Sequence, residues 1–501
     1  MLRRPVYSLG GVVASEHPLA SKAGVEVLDE GGNAVDAAVA VSLVLAVVQP
    51  HLGGLGGDYF AIVKVNGDAV FIDGSGPAPA GLTRDVVLGR GYREMPTHGP
   101  LPITVPGMVD ALWLMWSKYG SMEWQRLVEK AATIAGRGFA AHIDLARAVD
   151  RAWDILLRYK GGARAFANLY RSGPGAKAAF PGLSWALRRI MEDPRDFYEG
   201  DVAADIVDTV KANGGVMELE DLASYHAGTG KPLELEYHGC RILETPPPTQ
   251  GATTLHILML LGEDLPAHGS REWSLSLYNA SLKAYRVRDS LITDPRHMTI
   301  SPEDLLNPGI LEEPRGGPVE GGVGDTTYYA VADREGNIVS GIQSLYHHFG
   351  SGIITGRGEF PLNNRGSDFS LREDHVNRLE PGKRTLHTLS TVLMECGDAT
   401  YALGTSGGHY RPHQHAQLIT GILIDGLDPQ EAIERPRILF NFRDKLIIVE
   451  EGVTSPGIEG YRVESRKYPS RTGVAAAVAD YKGYRAGYVD VRGDGAALGQ
   501  P

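Results

Sequence analysis

The sequence has very little cysteine and no surplus of positive charge, and each shortage argues against a class of protein. Only Cys240 and Cys396 occur among 501 residues, and neither belongs to a CxxC pair, which argues against a zinc ribbon or a redox motif. We expect two reduced thiols in or near the core; one long-range disulfide is the alternative. The net charge of −12 argues against nucleic acid or an anionic membrane as a partner.

Long apolar runs are also missing. The most apolar stretch, residues 35–48, is interrupted by Asp36 and Ser42 and is too short to span a bilayer. Residues 1–7 include two arginines, but no apolar segment follows, so the sequence predicts no secretory signal. We therefore expect a cytoplasmic protein with no membrane partner. The composition, 43% hydrophobic and 22% charged, is typical of a globular chain.

Nucleotide and metal motifs are absent from the sequence. The glycine-rich segments 53–57 and 404–408 match neither GxGxxG nor a P-loop, because no Lys-Ser/Thr follows them. Five histidines could suggest a metal site, but no HExxH occurs and no carboxylate stands at ligand spacing. They are His347, His348, His409, His413 and His415. We interpret them as ordinary polar histidines and expect neither a metal nor a cofactor.

Residues 404–408, Gly-Thr-Ser-Gly-Gly, fit the GxSxG nucleophile elbow of α/β-hydrolases. That fold needs an acidic residue and then a histidine downstream of the serine. The last histidine is His415, and no Asp or Glu lies between Ser406 and it. Chain order therefore argues against a serine hydrolase. What remains is a glycine turn whose backbone N–H groups could form an oxyanion hole.

Periodic patterns predict two N-terminal helices followed by a hairpin. Residues 17–28 form an amphipathic pattern that ends at two glycines, and Asn33 is placed to cap a second helix over 34–48. This second helix is apolar nearly all round and should lie inside the protein. Residues 59–65 and 69–72 flank Asn66 and Gly67, a strong hairpin signal. From 107 to about 260 the pattern is mostly helical.

The pattern changes abruptly near residue 326. Residues 312–325 are rich in glycine and proline and predict a loop. Residues 326–332 and 338–345 then predict two strands around a turn. A long loop that leads straight into a strand beginning Thr326-Thr327 suits a processing site better than a domain linker.

Short motifs in a fixed order run through the whole chain. In the first part they are ASEHPLAS (14–21), GGNAVDAA (31–38), PH (50–51), GLGG (54–57), VPG (105–107), LEDLASY (219–225) and PPPTQG (246–251). In the second part they are TT (326–327), FGSGI (349–353), LNN (362–364), DFS (368–370) and GG (407–408). Together they resemble the gamma-glutamyltranspeptidase family of N-terminal-nucleophile hydrolases. So many ordered matches argue against chance.

The resemblance implies a mechanism centred on Thr326. Its hydroxyl would attack the carbonyl of Asp325, and hydrolysis of the resulting ester would leave Thr326 as a new N-terminus. The freed α-amine, with a pKa of about 7.7–8, would then act as the base for the same hydroxyl. One residue would supply nucleophile and base, so no cofactor is required.

The resemblance also implies roles for four other residues. Ser344 stands where the family has a threonine that hydrogen-bonds the nucleophile. Gly407 and Gly408 match the oxyanion pair, and Asp368 matches the aspartate that holds the α-amino group of the substrate.

Several positions depart from the family pattern around the substrate. Ser75 stands where an arginine clamps the α-carboxylate, Tyr346 replaces an asparagine, Arg365 replaces a glutamine, and His387-Thr388 replaces Ser-Ser. The segment 368–383 is short, so the lid over the pocket would be missing. These features resemble the acylase-like branch, including cephalosporin acylases. For Arg365 two roles stay open: a replacement clamp for the carboxylate, or a structural ion pair.

The resemblance implies a four-layer αββα sandwich, cleaved into fragments 1–325 and 326–501 that intertwine as one folding unit. We expect an enzyme that hydrolyses or transfers gamma-glutamyl groups of glutathione-like amides. A gamma-glutamyl donor is favoured over a glutaryl one, because a buried, unpaired Asp368 facing an apolar acyl chain would be costly. The alternatives are a glutaryl or cephalosporin acylase and an uncleaved, non-catalytic homologue that only binds ligands.

Overall fold

Two seven-stranded sheets form the centre of the protein. The computed structural model describes residues 3–312 and 324–501. The strands are β1 Val6–Ser8, β2 Val12–Ser15, β3 Asp58–Val65, β4 Asp68–Gly74, β5 Phe139–Ala140, β6 Lys177–Ala178, β7 Gly228–Gly230, β8 Leu233–Tyr237, β9 Cys240–Glu244, β10 Asp325–Ala332, β11 Ile338–Tyr346, β12 Val392–Cys396, β13 Ala399–Thr405, β14 Ile438–Asn441, β15 Leu446–Glu450, β16 Arg462–Arg466, β17 Ala475–Tyr481, β18 Tyr484–Val489 and β19 Ala496–Gly499.

The first sheet has the order β1-β18-β17-β13-β12-β9-β8, and the second has the order β19-β2-β10-β11-β3-β4-β7. Smaller sheets are formed by β14-β15-β16 and by β5-β6. Each large sheet therefore combines strands from before and after residue 326. Strands from the two parts of the chain are thus interleaved in both sheets.

Helices cover the outer faces of both large sheets. They are α1 Pro18–Asp29, α2 Ala34–Val48, α3 Arg84–Gly89, α4 Met108–Tyr119, α5 Trp124–Arg137, α6 Ile143–Arg158, α7 Gly162–Phe166, α8 Pro181–Glu192, α9 Asp196–Glu199, α10 Asp201–Ala212, α11 Leu219–Ala223, α12 Gly251–Leu261, α13 Arg271–Leu291, α14 Pro308–Glu312, α15 Arg411–Leu423 and α16 Pro429–Glu434. Short 3₁₀ turns occur at Pro295–His297, Glu303–Leu306, Arg365–Asp368 and Gly408–Tyr410. Among the described residues no helix combines the length and apolarity needed to cross a membrane.

The two faces of β10 contribute side chains to two different hydrophobic cores, which shows how the sheets and helices are layered. Tyr328 and Ala330 belong to the core between the two sheets, whereas Tyr329 and Val331 belong to the core beneath α1, α2, α4 and α5. Successive residues of a strand point to opposite faces, so a strand covered on both faces is apolar throughout. A third core lies between the first sheet and α12, α13 and α15. The order is therefore helix, sheet, sheet, helix, and the predicted αββα sandwich is confirmed.

Local patterns predicted several elements correctly. Asn33 caps α2 through a capping box with Asp36, and every residue of α2 is buried, as its apolar composition indicated. Asn66 and Gly67 adopt positive φ values of 54° and 91° in the turn between β3 and β4, as such a hairpin requires. Strand β10 begins one residue earlier than predicted, at Asp325. Most of the loop predicted for 312–325 lies outside the described residues.

The prediction of reduced thiols is wrong: Cys240 and Cys396 form a disulfide. Strands β9 and β12 are neighbours in the first sheet, with Arg241 paired to Glu395. This pairing brings the two cysteine Cα atoms to 4.5 Å, a distance that a disulfide can bridge. The two positions are 156 residues apart, so only the sheet order reveals the bond.

Candidate functional site

Thr326 is the second residue of β10, a strand whose neighbours in the second sheet are β2 and β11. Asp325 pairs with Tyr346 of β11 and Thr327 pairs with Gln343, so the register shifts across Thr326. Such an irregularity interrupts the ladder and redirects a side chain. Thr326 is only 2% exposed. The bond between Asp325 and Thr326 therefore lies at an irregularity in the first residues of β10.

Ser344 lies beside this bond on β11. Its Oγ donates a hydrogen bond to the carbonyl oxygen of Asp325 at 2.7 Å, and it accepts one from the backbone N–H of Tyr346 at 2.7 Å. The Thr326 hydroxyl donates to the same Ser344 Oγ at 3.4 Å. One serine hydroxyl thus contacts both the hydroxyl of Thr326 and the carbonyl that precedes it. A hydrogen bond to a carbonyl oxygen favours the negative charge that nucleophilic attack places there.

The glycine pair packs against the chain just before Asp325. Gly407 and Gly408 have φ values of +149° and +57°, a region that side chains with a Cβ rarely adopt. A Cβ on Gly408 would lie 2.3 Å from the backbone N and 2.7 Å from the Cα of Gly324. The close approach of two backbones at this point therefore requires glycine.

Two cavities are lined by residues of this region. The first, of about 310 Å³, is lined by Thr326, Asp325, Gly407 and His348 among others; we call it the Thr326 cavity. The second, of about 850 Å³, is lined by Asp368 together with Tyr346, His347 and His409, and we call it the Asp368 cavity. Gly324 lines the first cavity and lies against Gly408 and against Tyr346, which lines the second.

Asp368 is the acidic centre of the larger cavity. The Tyr346 hydroxyl donates to Asp368 Oδ1 at 2.6 Å, and His409 Nε2 lies 3.5 Å from the same oxygen. Arg365 Nη1 lies 3.7 Å from Oδ2. Burial acts to raise the pKa of Asp368, but the hydrogen bond from His409 and the nearby Arg365 outweigh it and lower the pKa to about 2. The carboxylate is therefore ionised at any pH above the strongly acidic range.

Asp368 is also already partnered. The sequence argument treated it as unpaired opposite an apolar acyl group; in the structure Oδ1 contacts Tyr346 and His409, and Arg365 lies 3.7 Å from Oδ2, which accepts no hydrogen bond from the described residues. Nothing in the sequence signals that a tyrosine 22 residues away reaches this carboxylate.

Arg365 lies below the cavity rather than along its wall. Its side chain is 1% exposed, its Nε donates to Asp58 Oδ2 at 3.2 Å and its Nη1 donates to Thr388 Oγ1 at 3.0 Å. The guanidinium also lies over the ring of Tyr346, 4.2 Å from its centre. Of the two roles left open, the structural ion pair is the one that the structure contains.

His387 and Thr388 lie in the same buried layer. His387 Nε2 is 2.9 Å from Asp58 Oδ2, and burial together with the charge of Arg365 lowers its pKa to about 4, although Asp58 opposes the shift. Thr388 accepts a hydrogen bond from Arg365 through its hydroxyl. Thr388 contacts Arg365, His387 contacts Asp58, the partner of Arg365, and neither residue lines the Asp368 cavity.

Ser75 bonds locally. Its hydroxyl donates to Asp73 Oδ1 at 2.6 Å, and the other oxygen of Asp73 accepts from Arg384 at 2.5 Å. Arg384 also pairs with Asp294 at 3.2 Å. A guanidinium is thus present near position 75, but it is held by two carboxylates.

Two of the histidines singled out in the sequence, His413 and His415, have separate surroundings. Both lie on helix α15, whose first turn contains Pro412. His415 contacts Glu244 at 2.9 Å, and His413 contacts Tyr285 at 3.1 Å. Proline is tolerated in the first turn of a helix because its missing N–H has no partner there in any case.

Sequence reasoning missed three residues of the site. Glu16 lines the Thr326 cavity, and its Oε1 accepts from the backbone N–H of Tyr328 at 3.0 Å. Burial raises the pKa of Glu16. Asp58 joins Arg365 to His387, and His409 contacts Asp368. Of these three residues, Glu16 is the one that lies within a family motif, residues 14–21.

Comparison with known proteins identifies the family. A family model described as gamma-glutamyltranspeptidase matches residues 20–500. The chain belongs to the gamma-glutamyltranspeptidase family. It is similar to the glutathione hydrolase-like YwrD proenzyme of Bacillus subtilis (strain 168), at 37% identity over 99% of this chain and 100% of that protein. It is also similar to the oxamate amidohydrolase proenzyme of Klebsiella pneumoniae, at 33% identity over 86% of this chain and 85% of that protein.

The solved structure of cephalosporin acylase from Bacillus halodurans superposes with a TM-score of 0.92 at 31% identity, over 100% of this chain and 97% of that one. Membership of the gamma-glutamyltranspeptidase family confirms the predicted family and the predicted enzyme class, a hydrolase of the gamma-glutamyltransferase kind. Both sequence relatives are named proenzymes, which agrees with the synthesis of such hydrolases as precursors.

Proposed function

We propose that the chain cleaves itself before Thr326 and then hydrolyses gamma-glutamyl amides through an ester on the Thr326 hydroxyl. The observation that carries this proposal is the position of Ser344 Oγ, which contacts both the Thr326 hydroxyl and the carbonyl oxygen of Asp325. The group that attacks and the group that is attacked are thereby held by one side chain.

Self-cleavage follows from this geometry. The Thr326 oxygen adds to the Asp325 carbonyl, and the Ser344 hydroxyl stabilises the charge that develops on the carbonyl oxygen. The C–N bond then breaks, the Thr326 nitrogen takes up a proton, and Asp325 remains as an ester on the Thr326 oxygen. Water hydrolyses that ester, which gives a carboxylate on Asp325 and a free α-amine on Thr326. The products are fragments 1–325 and 326–501.

Turnover repeats the chemistry on an external amide. The α-amine of Thr326 accepts the proton of its own hydroxyl, which attacks the carbonyl of the donor. The backbone N–H groups of Gly407 and Gly408 stabilise the oxyanion, and the departing amine leaves with the proton. Water, or an amine acceptor, then attacks the threonyl ester. Because no lid segment is expected over the pocket, we propose that hydrolysis exceeds transfer.

The choice of a gamma-glutamyl donor rests on Asp368. An ionised carboxylate in the large cavity suits the α-ammonium of such a donor, and charge-assisted hydrogen bonds are among the stronger polar contacts. The similarity to a protein named glutathione hydrolase-like supports the same donor class. Tyr346 would hold the carboxylate in place through the hydrogen bond to Oδ1.

A second candidate is an acylase that acts on glutaryl amides, which lack the α-ammonium. The contacts of Asp368 favour it, because Oδ1 already accepts a hydrogen bond from Tyr346 and Arg365 lies 3.7 Å from Oδ2 without any substrate. The structural similarity to cephalosporin acylase agrees with this alternative.

The first test concerns the serine beside the bond. Ser344→Ala removes the hydroxyl that contacts Asp325 and Thr326, so both self-cleavage and turnover should slow by about 10-fold or more, the equivalent of one hydrogen bond. A time course of fragment appearance on denaturing gels and the kcat of the processed fraction measure the two effects. Ser344→Thr keeps the hydroxyl and should retain both rates. Unchanged rates in the alanine variant would remove Ser344 from the mechanism.

The second test concerns the donor. Asp368→Asn removes a negative charge without changing shape, and kcat/KM for gamma-glutamyl anilide should fall by about 10- to 100-fold, the range for a hydrogen bond to a charged group. For glutaryl anilide the loss should be smaller, because no ammonium contacts position 368. The ratio of the two losses separates substrate binding from any general disturbance of Tyr346 and His409. A wild-type preference for the glutaryl compound would instead establish the acylase.

A denaturing gel distinguishes both enzymes from the non-catalytic alternative. A cleaved chain gives two bands, and an inert ligand-binding homologue gives one. We expect two bands, because the chain retains Thr326, Ser344, Asp368 and the glycine pair.

A further inference from the structure

Asp325, the residue before the bond that Thr326 would attack, is contacted at two points from the end of β11. Its carbonyl oxygen accepts the hydrogen bond from Ser344 Oγ at 2.7 Å. Its side-chain carboxylate lies 3.2 Å from Nε2 of His348, which follows the last residue of β11 by two positions. The strand that supplies Ser344 thus leads directly to a second group that faces the same residue.

The backbone around His348 is fixed on both sides. Tyr346 and Phe349 have φ values of +84° and +57°, in the left-handed region that bulky side chains rarely adopt. The N–H of Phe349 donates to the carbonyl oxygen of His51 at 2.9 Å. Unusual backbone angles persist where the surrounding contacts determine them, and they are common at functional sites. His348 is therefore presented by a turn that has little conformational freedom.

The imidazole of His348 packs against a second buried imidazole. The ring centres of His348 and His51 are 5.5 Å apart. Burial lowers the pKa of His51 well below its usual value, so this ring is uncharged and supports His348 by packing alone. Burial also lowers the pKa of His348; Asp325 opposes this shift, and Arg471 adds to it. At neutral pH His348 is therefore uncharged, and its Nε2 can meet the carboxylate of Asp325 as an N–H donor.

The contact between these two groups is close but not fully aligned. His348 Nε2 is within ion-pair distance of Asp325 Oδ1, although the direction of its N–H is not that of a hydrogen bond. The terminal torsion of an aspartate is soft, so a rotation of the carboxylate is enough to complete the bond. Hydrogen bonds to an ionised acceptor are about twice as strong as those between neutral groups. This nitrogen has no other hydrogen-bond partner among the described residues, which leaves Asp325 as the acceptor within its reach.

We propose that His348 is a positioning residue for self-cleavage. Ser344 holds the carbonyl of Asp325, and His348 holds its side chain. The carbonyl carbon is thereby kept facing the Thr326 hydroxyl, and holding two reacting groups close and aligned supplies a large part of the rate of such a reaction. The role ends with the cut, because Asp325 then becomes the last residue of fragment 1–325. This inference rests on the proposed function, since it takes the attacked carbonyl to be that of Asp325.

The test follows precursor made by cell-free synthesis on reducing denaturing gels. His348→Phe keeps a ring but removes its nitrogens, so self-cleavage should slow by about 10-fold, as expected when a hydrogen bond to a charged group is lost. His348→Gln places an amide N–H close to the position of Nε2 and should keep most of the wild-type rate. Equal rates in these two variants would overturn the role, because the effect would then not depend on the N–H. The kcat of the processed fraction should fall less than the rate of self-cleavage, and equal losses would overturn a role specific to the cut.

A double-mutant cycle shows whether the effect passes through Asp325. Asp325→Ala should slow self-cleavage by a similar factor, and its combination with His348→Phe should be no slower than the slower single variant, because both changes remove the same contact. Multiplied losses, about 100-fold in the double variant, would mean that the two residues act independently and would overturn the proposal. If the His348 variants do not fold, Asp325→Ala decides alone: this side chain is 25% exposed, and a wild-type rate in that variant would overturn the proposal.

His297→Phe is the matched control. His297 also lies near a carboxylate, 3.7 Å from Glu380, and it lines neither cavity. This variant should cleave at the wild-type rate. Equal rates in the wild type, His348→Phe and Asp325→Ala would overturn the role of His348 and leave the self-cleaving enzyme intact. A wild-type chain that stays whole, or that is cut elsewhere, would instead overturn the proposed function and this role with it.

Discussion

Thr326→Ala should remain a single chain and should lose amidohydrolase activity by a factor on the order of 10⁶, the scale seen when a covalent nucleophile is removed. The methyl side chain cannot attack the Asp325 carbonyl, so neither the cut nor a free α-amine at position 326 would form. Denaturing electrophoresis and intact mass measure the first effect, and steady-state kinetics measure the second. Wild-type protein should yield a fragment whose sequence begins Thr326-Thr327-Tyr328.

Two controls accompany this variant. Thr326→Ser keeps a hydroxyl and should still cleave, at a reduced rate. Thr327→Ser changes the next residue, whose hydroxyl donates to Gln49 at 2.8 Å, and should cleave normally because serine retains that bond. Cleavage of the alanine variant, or a fragment that begins at another residue, would place the nucleophile elsewhere.

Gly408→Val should lower kcat by about 10²- to 10³-fold, the cost of displacing one donor of an oxyanion hole. Gly408 has a positive φ, and an added Cβ would lie 2.3 Å from the Gly324 nitrogen, so the backbone around 407–408 must move. The same shift should slow self-cleavage, because Gly324 precedes the cleaved bond by one residue. For this reason kcat is calculated per mole of processed protein, and the amount of processed protein is measured by N-terminal sequencing.

Gly421→Ala is the matched control for this substitution. Its Cβ would lie 3.4 Å from the Cβ of Ala432, an ordinary contact, within the regular helix α15. Processing and kcat should both match the wild type. A Gly408→Val protein with wild-type kcat would show that the oxyanion is stabilised by other groups.

Features that depend on neighbouring residues could be predicted from the sequence. The cap at Asn33, the turn at Asn66-Gly67 and the strand that begins near Thr326 each follow from a few adjacent side chains, whose backbone preferences act locally. The ordered motifs identified the family, and the family in turn implied the αββα sandwich. The resemblance predicted Thr326, Ser344 and Gly408 as residues of one site; in the structure Thr326 contacts Ser344, and Gly408 lies against Gly324.

Features that depend on which strands become neighbours could not be predicted. The disulfide requires β9 beside β12, and the ion pair of Arg365 requires β3 to bring Asp58 to it from 307 residues away. The hydrogen bond from Tyr346 to Asp368 depends on the path of the loop after β11. Side-chain chemistry allows many partners for each of these groups, and only the tertiary arrangement selects one.

The interleaved strands would give the proposed cut before Thr326 a lasting consequence. In the second sheet β10 lies between β2 and β11, and β19 flanks β2 on its other side, so strands from both fragments alternate. An intact precursor that unfolds can refold alone, at a rate independent of its concentration. After the cut, recovery needs an encounter between two separate polypeptides, each exposing unpaired strand edges that invite aggregation. The cleaved protein would therefore stay folded because it unfolds slowly. Thermal unfolding would become irreversible once the chain has been cleaved.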